Sequence, residues 1–530
     1  MVERLSMKRL IPRRADRTAA GAWLTAALAV AWFSIVAIRV IPHDGPWPDY
    51  LTRWNRWDAD RFWWLATYGY SGGPPDVYDP ESWPAFFPGY PLVIRFVGLV
   101  VSDYRAAGLL ISLLAGPVVA IALSRLTDLP TSTPTFLRHR IGAPPSRTSA
   151  LDGSSERAPG SGRTRDHAGK HPSDRAGGAT ERTSGFVAGR DRDHAAEWIP
   201  DRGAEHASSG SGRASGFGAE SAAERASGGV SGRVGERTAE FGAVGVGTER
   251  PGSAGAAERR RGATAPGGAD LDAGTEERPE AWWGRPGFLA VLAIITSPCA
   301  VFLFAAYSEA LFLALALPAW LLAKKGRWEY AALLAAAASV VRITGLFLAL
   351  AMIVEFLVGP HGRKARNWRK APFLIAPFVS IAAYMGYLWY ETGDMMAWQH
   401  AQEKGWNRQT VMPWESFKTT WVNAFQIQSE WTNAFRVEIA AAAVGVLLVA
   451  WLLHQRQWPE FVYVATQLAA FMTSSFYLSI GRATLLWFPL WIVLGHLMSR
   501  HRWLLAVYLS ISLPLMVAFT ASFTQGQWTG

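Results

Sequence analysis

Ala20–Ile41 reads AGAWLTAALAVAWFSIVAIRVI, an apolar run with one charge, Arg39. As a helix it extends about 33 Å, enough to cross the hydrocarbon of a bilayer. The run is long for a secretory leader and no small-residue cleavage site follows it, so it reads as a permanent span. Arg4, Lys8, Arg9, Arg13, Arg14 and Arg17 surround its start and predict a cytoplasmic N-terminus over residues 1–19.

Similar runs recur at Arg105–Leu126, Pro286–Ala305, Ala371–Tyr390, Val437–Leu453, Phe461–Leu478, Thr484–Met498 and Trp503–Ser522. Ala310–Ala323, Glu329–Val341 and Ile343–Val358 are tighter, and read as tilted, partly embedded or longer than these limits. Together they predict an all-α polytopic membrane protein with about 11 crossings. Alternation puts Lys324–Arg327, Arg363–Lys370, His454–Arg456 and Arg500–Arg502 on the N-terminal side, where basic loops belong. It also requires Phe86–Val101, which contains Pro88, Pro91 and Arg95, to be re-entrant or interfacial.

Composition agrees. Of 530 residues, 18% are charged, against roughly 25% in soluble domains. The net charge of +10 does not predict nucleic-acid binding, because outside one polar stretch the Lys and Arg fall in short loops between apolar runs. A single cysteine, Cys299, excludes an internal disulfide and a cysteine metal cage. The polar stretch Thr131–Glu280 is Gly, Ser, Ala, Arg and Glu throughout, with recurring pieces such as Glu181–Gly185 and Glu224–Gly228. It holds too little apolar surface to offset the entropy of ordering, so it reads as a disordered cytoplasmic insert. It is either a passive insertion or a docking segment. The chain therefore divides into a first unit at 20–128, the insert at 129–285 and the remaining bundle at 286–530.

With the cytoplasmic loops short and basic, chemistry is expected on the outer face. Two long segments lie there, His43–Asp103 within a loop at 42–104, and Glu391–Phe435. Trp47, Trp54, Trp57, Trp63, Trp64 and Trp83 crowd the first; Trp398, Trp406, Trp414, Trp421 and Trp431 crowd the second. Indole rings favour a membrane boundary, and they also stack on sugars and isoprenoid chains. Asp58 opens a short helical pattern that Gly69 ends, which by itself reads as an N-cap. Asp58 and Asp60, two apart, are expected to point differently.

Residues 57–70, WDADRFWWLATYGY, with residues 85–92, AFFPGYPL, resemble the signature of the PIG-V family. These are the GPI mannosyltransferase II enzymes and their bacterial homologues, in the GT-C glycosyltransferase class. Tyr307–Phe312, Lys325–Trp328, Arg342–Gly345, Gly393-Asp394, His400–Gln402, Trp406, Gly481-Arg482 and Phe488-Pro489 are similar to the bacterial branch. The resemblance covers nearly the whole chain except the insert. Arg61 departs from it, since the eukaryotic enzymes tend to have His there.

The resemblance implies transfer of mannose from a polyprenyl-phosphate-mannose donor to a lipid-linked or glycan acceptor, with inversion to an α-mannoside. Asp58 is then the expected general base, with Asp60 its alternate or the partner of a nearby cation. Arg61, Arg342, Arg482, His400 and Arg408 are the candidates for the donor phosphate. Trp57, Phe87, Tyr90, Glu309 and Asp394 are expected to line the substrate, and Glu309 to pair with Arg342. Such a reaction needs no cofactor, and no metal ligand set is assigned, although a divalent cation is compatible with it. An Ala-, Arg- and Gly-rich composition points to a GC-rich bacterium and so to the plasma membrane; eukaryotic relatives work in the ER membrane. A transporter or flippase, or a GT-C enzyme using another polyprenyl-phosphate sugar, remain the rival readings. A transporter predicts ionisable residues at helix midpoints and repeat symmetry, whereas the charges here fall at segment ends and no clear repeat appears.

Overall fold

Inside a bilayer, backbone N–H and C=O groups find no water, and an α-helix satisfies them within one segment. The computed structural model describes residues 14–40, 48–72, 80–129 and 282–529. Among the described residues there are helices and no strand, only an isolated bridge between Thr410 and Ser474. All of these residues belong to one compact unit. The polar stretch read as disordered, and the residues before Arg14, lie outside them.

Five helices have the length and composition to cross a membrane: Arg14–Ala37, Tyr104–Thr127, Ala371–Thr392, Thr432–His454 and Arg502–Thr524. Two further apolar segments are bent, Pro286–Ile295 with Pro298–Phe304 by 73°, and Ile480–Leu486 with Phe488–Arg500 by 72°. Counting each bent pair as one span gives up to 7, so the expected 11 included helices shorter than a span. Trp328–Val341 and Thr344–Val358 are of that shorter kind, as is the 13-residue Gly89–Val101, which was read as re-entrant or interfacial and not counted. The Pro286–Ala305 run was expected to be continuous. It breaks because the carbonyls at the end of its first arm meet Thr296, Ser297 and then Pro298, which cannot donate a backbone N–H to continue the helix. Outward-facing Leu28, Trp32, Leu99, Val100 and Leu447 give the bundle an apolar exterior, as an integral membrane protein requires.

Ion pairs tie one end of the bundle. Asp16 takes both Arg125 Nε at 2.9 Å and Nη2 at 2.7 Å, joining the first two spans. Lys324 bridges Glu355 at 2.7 Å and Glu460 at 2.8 Å, and Lys370 meets Glu329 at 2.7 Å. At this same end the Gly287 N–H donates to Asp128 Oδ1 at 3.2 Å, so the residues flanking the polar stretch are clasped together. The Ser308–Lys324 and Trp328–Val341 helices, tied here through Lys324 and Glu329, carry Glu309 and Arg342 at their other ends. Gly89, in the AFFPGYPL motif, is where the first loop reaches that bundle. A Cβ there would lie 2.7 Å from the Val340 carbonyl oxygen, which only glycine avoids.

One connecting helix is inside out. In Pro413–Phe425 the buried face is Ser416, Thr420, Asn423 and Ala424. Trp414, Phe417, Trp421 and Phe425, three or four residues apart, are exposed, Trp414 by 67%. On the small polar face Thr420 donates to the Ser416 carbonyl and accepts the Tyr477 N–H, and Asn423 donates to the Thr419 carbonyl.

Candidate functional site

Trp57 takes φ 54 and occupies the N-cap of the Asp58–Tyr68 helix, making no side-chain cap bond. This corrects the capping reading of Asp58, which is the first helical residue instead. There the partial positive charge of the helix start favours a carboxylate, and its side chain is free to reach out of the loop. Asp58 Oδ2 accepts Arg482 Nη1 at 2.6 Å. Asp60 diverges as the two-residue spacing demands, and its Oδ1 accepts Asn55 Nδ2 at 2.9 Å. Asp60 also faces Arg56, whose pKa burial lowers and Asp60 raises.

Arg482 lies in the short arm of the second bent pair, and Phe302 in the short arm of the first. The two arms meet there: the Phe302 and Tyr307 rings each lie 5.5 Å from the Arg482 guanidinium. Arg482 Nε reaches Glu309 Oε1 at 3.2 Å, and the same oxygen accepts Arg342 Nη1 at 2.9 Å. Arg342 ends the Trp328–Val341 helix, and its Nη1 also donates to Ser308 Oγ at 2.7 Å. Glu309 therefore pairs with Arg342 as expected. The chain Asp58–Arg482–Glu309–Arg342 alternates in sign, which is what allows four charges to share a mostly water-free site. Glu309 is fully buried and its Oε2 has no partner among the described residues.

Arg408 approaches from the second long loop. Its Nη2 donates to the Leu478 carbonyl at 3.3 Å and its Nη1 to Gln402 Oε1 at 3.5 Å. Among the described residues no carboxylate comes within ion-pair distance of it. Burial first, and then the positive charge of Arg482, bring its pKa down to about 10. Glu438 adds a further carboxylate beneath Arg482, bonded to the backbone of Ser479, Ile480 and Gly481.

The remaining candidates are elsewhere. His400 Nδ1 and Asp394 Oδ2 pair at 2.7 Å on the exposed surface, and this bond is the main cause holding the Asp394 carboxyl below its usual range. No contact joins that pair to the Arg482 network among the described residues. The Arg61 guanidinium lies 5.3 Å from the Trp83 ring, itself stacked on Trp64. Of the residues expected at the substrate, Phe87 lies against Tyr384, and fully buried Tyr90 packs against Phe62. Trp57 packs edge-on against Trp528 at 5.2 Å and Trp431 at 6.4 Å.

Sequence reasoning did not select Glu438, Ser308, or the Phe302 and Tyr307 rings over Arg482. Glu438 carried a signal, an acid at the start of an apolar run; Tyr307 and Ser308 lay in a stretch similar to the bacterial branch but were given no role, and Phe302 carried no signal. Among the described residues no group of three or more His, Cys, Asp and Glu could hold a metal ion. Compared with protein-family models, curated proteins and solved structures, the chain matches none.

Proposed function

We propose that this protein is an integral-membrane mannosyltransferase of the GT-C class, facing outward, that uses polyprenyl-phosphate-mannose to glycosylate a lipid-linked or glycan hydroxyl. The observation that carries this reading is the Asp58–Arg482 contact, which joins the acidic first loop to a cation deep in the bundle. Asp58 Oδ1 takes the acceptor hydroxyl proton as the acceptor oxygen bonds to the sugar C1. The bond from C1 to the phosphate oxygen breaks in the same step, and the released lipid phosphate keeps the electron pair. That leaving group needs no acid, so one carboxylate suffices and the configuration inverts. Arg408, short of an anionic partner, and Arg482 receive the phosphate charge. Arg342 acts one step away, holding Glu309 against Arg482. Arg61, His400 and Asp394 have no part in this step.

The rival transporter reading draws on the two bent spans whose short arms meet at Arg482, since broken helices often line substrate paths. One experiment separates the two. Purified protein in proteoliposomes is given labelled polyprenyl-phosphate-mannose and lipid acceptors. Labelled product supports transfer; movement of intact donor between leaflets with no product sinks it.

A further inference from the structure

We propose that Glu438 is a positioning residue that sets Arg482 against Asp58 by gripping the backbone ahead of it. Glu438 lies in the second turn of the apolar Thr432–His454 helix and is 3% exposed. A carboxylate so placed is costly unless it is fully bonded. Among the described residues no cation pairs with it directly. Its partners are three consecutive amides: Oε1 accepts the Ser479 N–H at 2.7 Å, and Oε2 accepts those of Ile480 at 2.6 Å and Gly481 at 3.3 Å.

The gripped segment is strained. Ser479 has φ 65 and ψ 19, a left-handed conformation that a residue with a side chain seldom holds without outside support. Arg482 follows within one helical turn, so the carboxylate fixes the start of the arm that aims the guanidinium. Behind the turn, a Cβ on Gly481 would make ordinary contact with Cys299 Sγ and Val437 Cγ1, each at 3.6 Å, so the turn packs beside both. Without the three bonds, the amides lose their acceptor, Ser479 has no reason to stay left-handed, and the reach to Asp58 changes.

The catalytic consequence rests on the proposed reaction at Asp58; the structural consequence does not. Glu438→Gln keeps the size and replaces one accepting oxygen by a donor, so at least one amide loses its partner. In nanodiscs, hydrogen exchange over residues 477–484 is expected to quicken at least tenfold in Glu438→Gln, with the Ser308–Lys324 helix unchanged. In a transfer assay kcat falls at least tenfold and the donor KM rises with it, because Arg482 shifts and Arg408 bonds to the Leu478 carbonyl of the same segment. Ser479→Gly in the Glu438→Gln background restores part of the kcat, since glycine holds a positive φ unaided. Should Glu438→Gln not accumulate, Glu438→Asp, one methylene short, is read in the same way. Unchanged exchange over 477–484 overturns the proposal whatever the activity. Quickened exchange in a protein whose wild type transfers no sugar leaves the positioning role standing and removes the mannosyltransferase reading.

Discussion

Asp58 and Arg482 are separated by 424 positions in sequence and by 2.6 Å in the fold. Arg482 shares its remaining reach with Glu309, so a single guanidinium keeps two carboxylates from facing one another uncompensated. The first loop and the last quarter of the chain therefore close on each other through charge as well as packing.

Removing that cation is expected to be worse than removing either acid. Arg482→Ala leaves Asp58 without its ion-pair partner and Glu309 with Arg342 alone, and breaking a buried pair this way costs about 3–5 kcal/mol. Thermal unfolding in lipid nanodiscs should show a large drop for Arg482→Ala, partly recovered by Glu309→Gln in the same protein. Equal melting of Arg482→Ala and wild type would mean the network contributes nothing to the fold.

Asp58→Asn should fold normally, because an amide oxygen still accepts from Arg482. It should lose about 10²–10⁴ in transfer rate, the usual size of a lost general base. Asp60→Asn, whose carboxylate is turned to Asn55, should stay within a few-fold. Turnover of polyprenyl-phosphate-mannose by each variant, with donor binding measured separately, decides between them; a fully active Asp58→Asn protein ends the assignment.

Orientation is open to labelling in intact cells. Ser71 is exposed just beyond the Asp58–Tyr68 helix, and Ser71→Cys should react with a membrane-impermeant thiol reagent. Ser209→Cys, in the polar stretch, should react only after the cells are opened. The reverse pattern would put the Asp58 face in the cytoplasm.

The inside-out Pro413–Phe425 helix should sit against lipid. Trp414 and Trp421 fluorescence is expected to be quenched by brominated acyl chains, and Trp414→Phe with Trp421→Phe should remove that share of the quenching. Quenching unaltered in the double variant would place this aromatic face in water or against another protein.

Helices of membrane-spanning length could be read from the sequence because hydrocarbon imposes both length and composition. The 73° bend after Ile295 could not, since the flanking residues stay apolar and only Thr296–Pro298 marks it. Asp58 was visible as an acid in an aromatic loop, but its partner was not: local pattern does not encode a contact that distant. Nor did local pattern show how the first loop folds onto the bundle, where Tyr90 meets Phe62 and its hydroxyl reaches the Gly108 carbonyl at 3.3 Å.

The clasp between Asp128 and Gly287 has a consequence for how this chain tolerates change in length. It holds the two ends of a long interval side by side, whatever joins them. For a flexible connection, closure entropy grows only with the logarithm of length, by about 0.6 kcal/mol per doubling. The bundle is thus nearly indifferent to how many residues intervene. A reporter domain with neighbouring termini, or a short Gly-Ser bridge, can be spliced in at this point with the rest of the architecture left as it is.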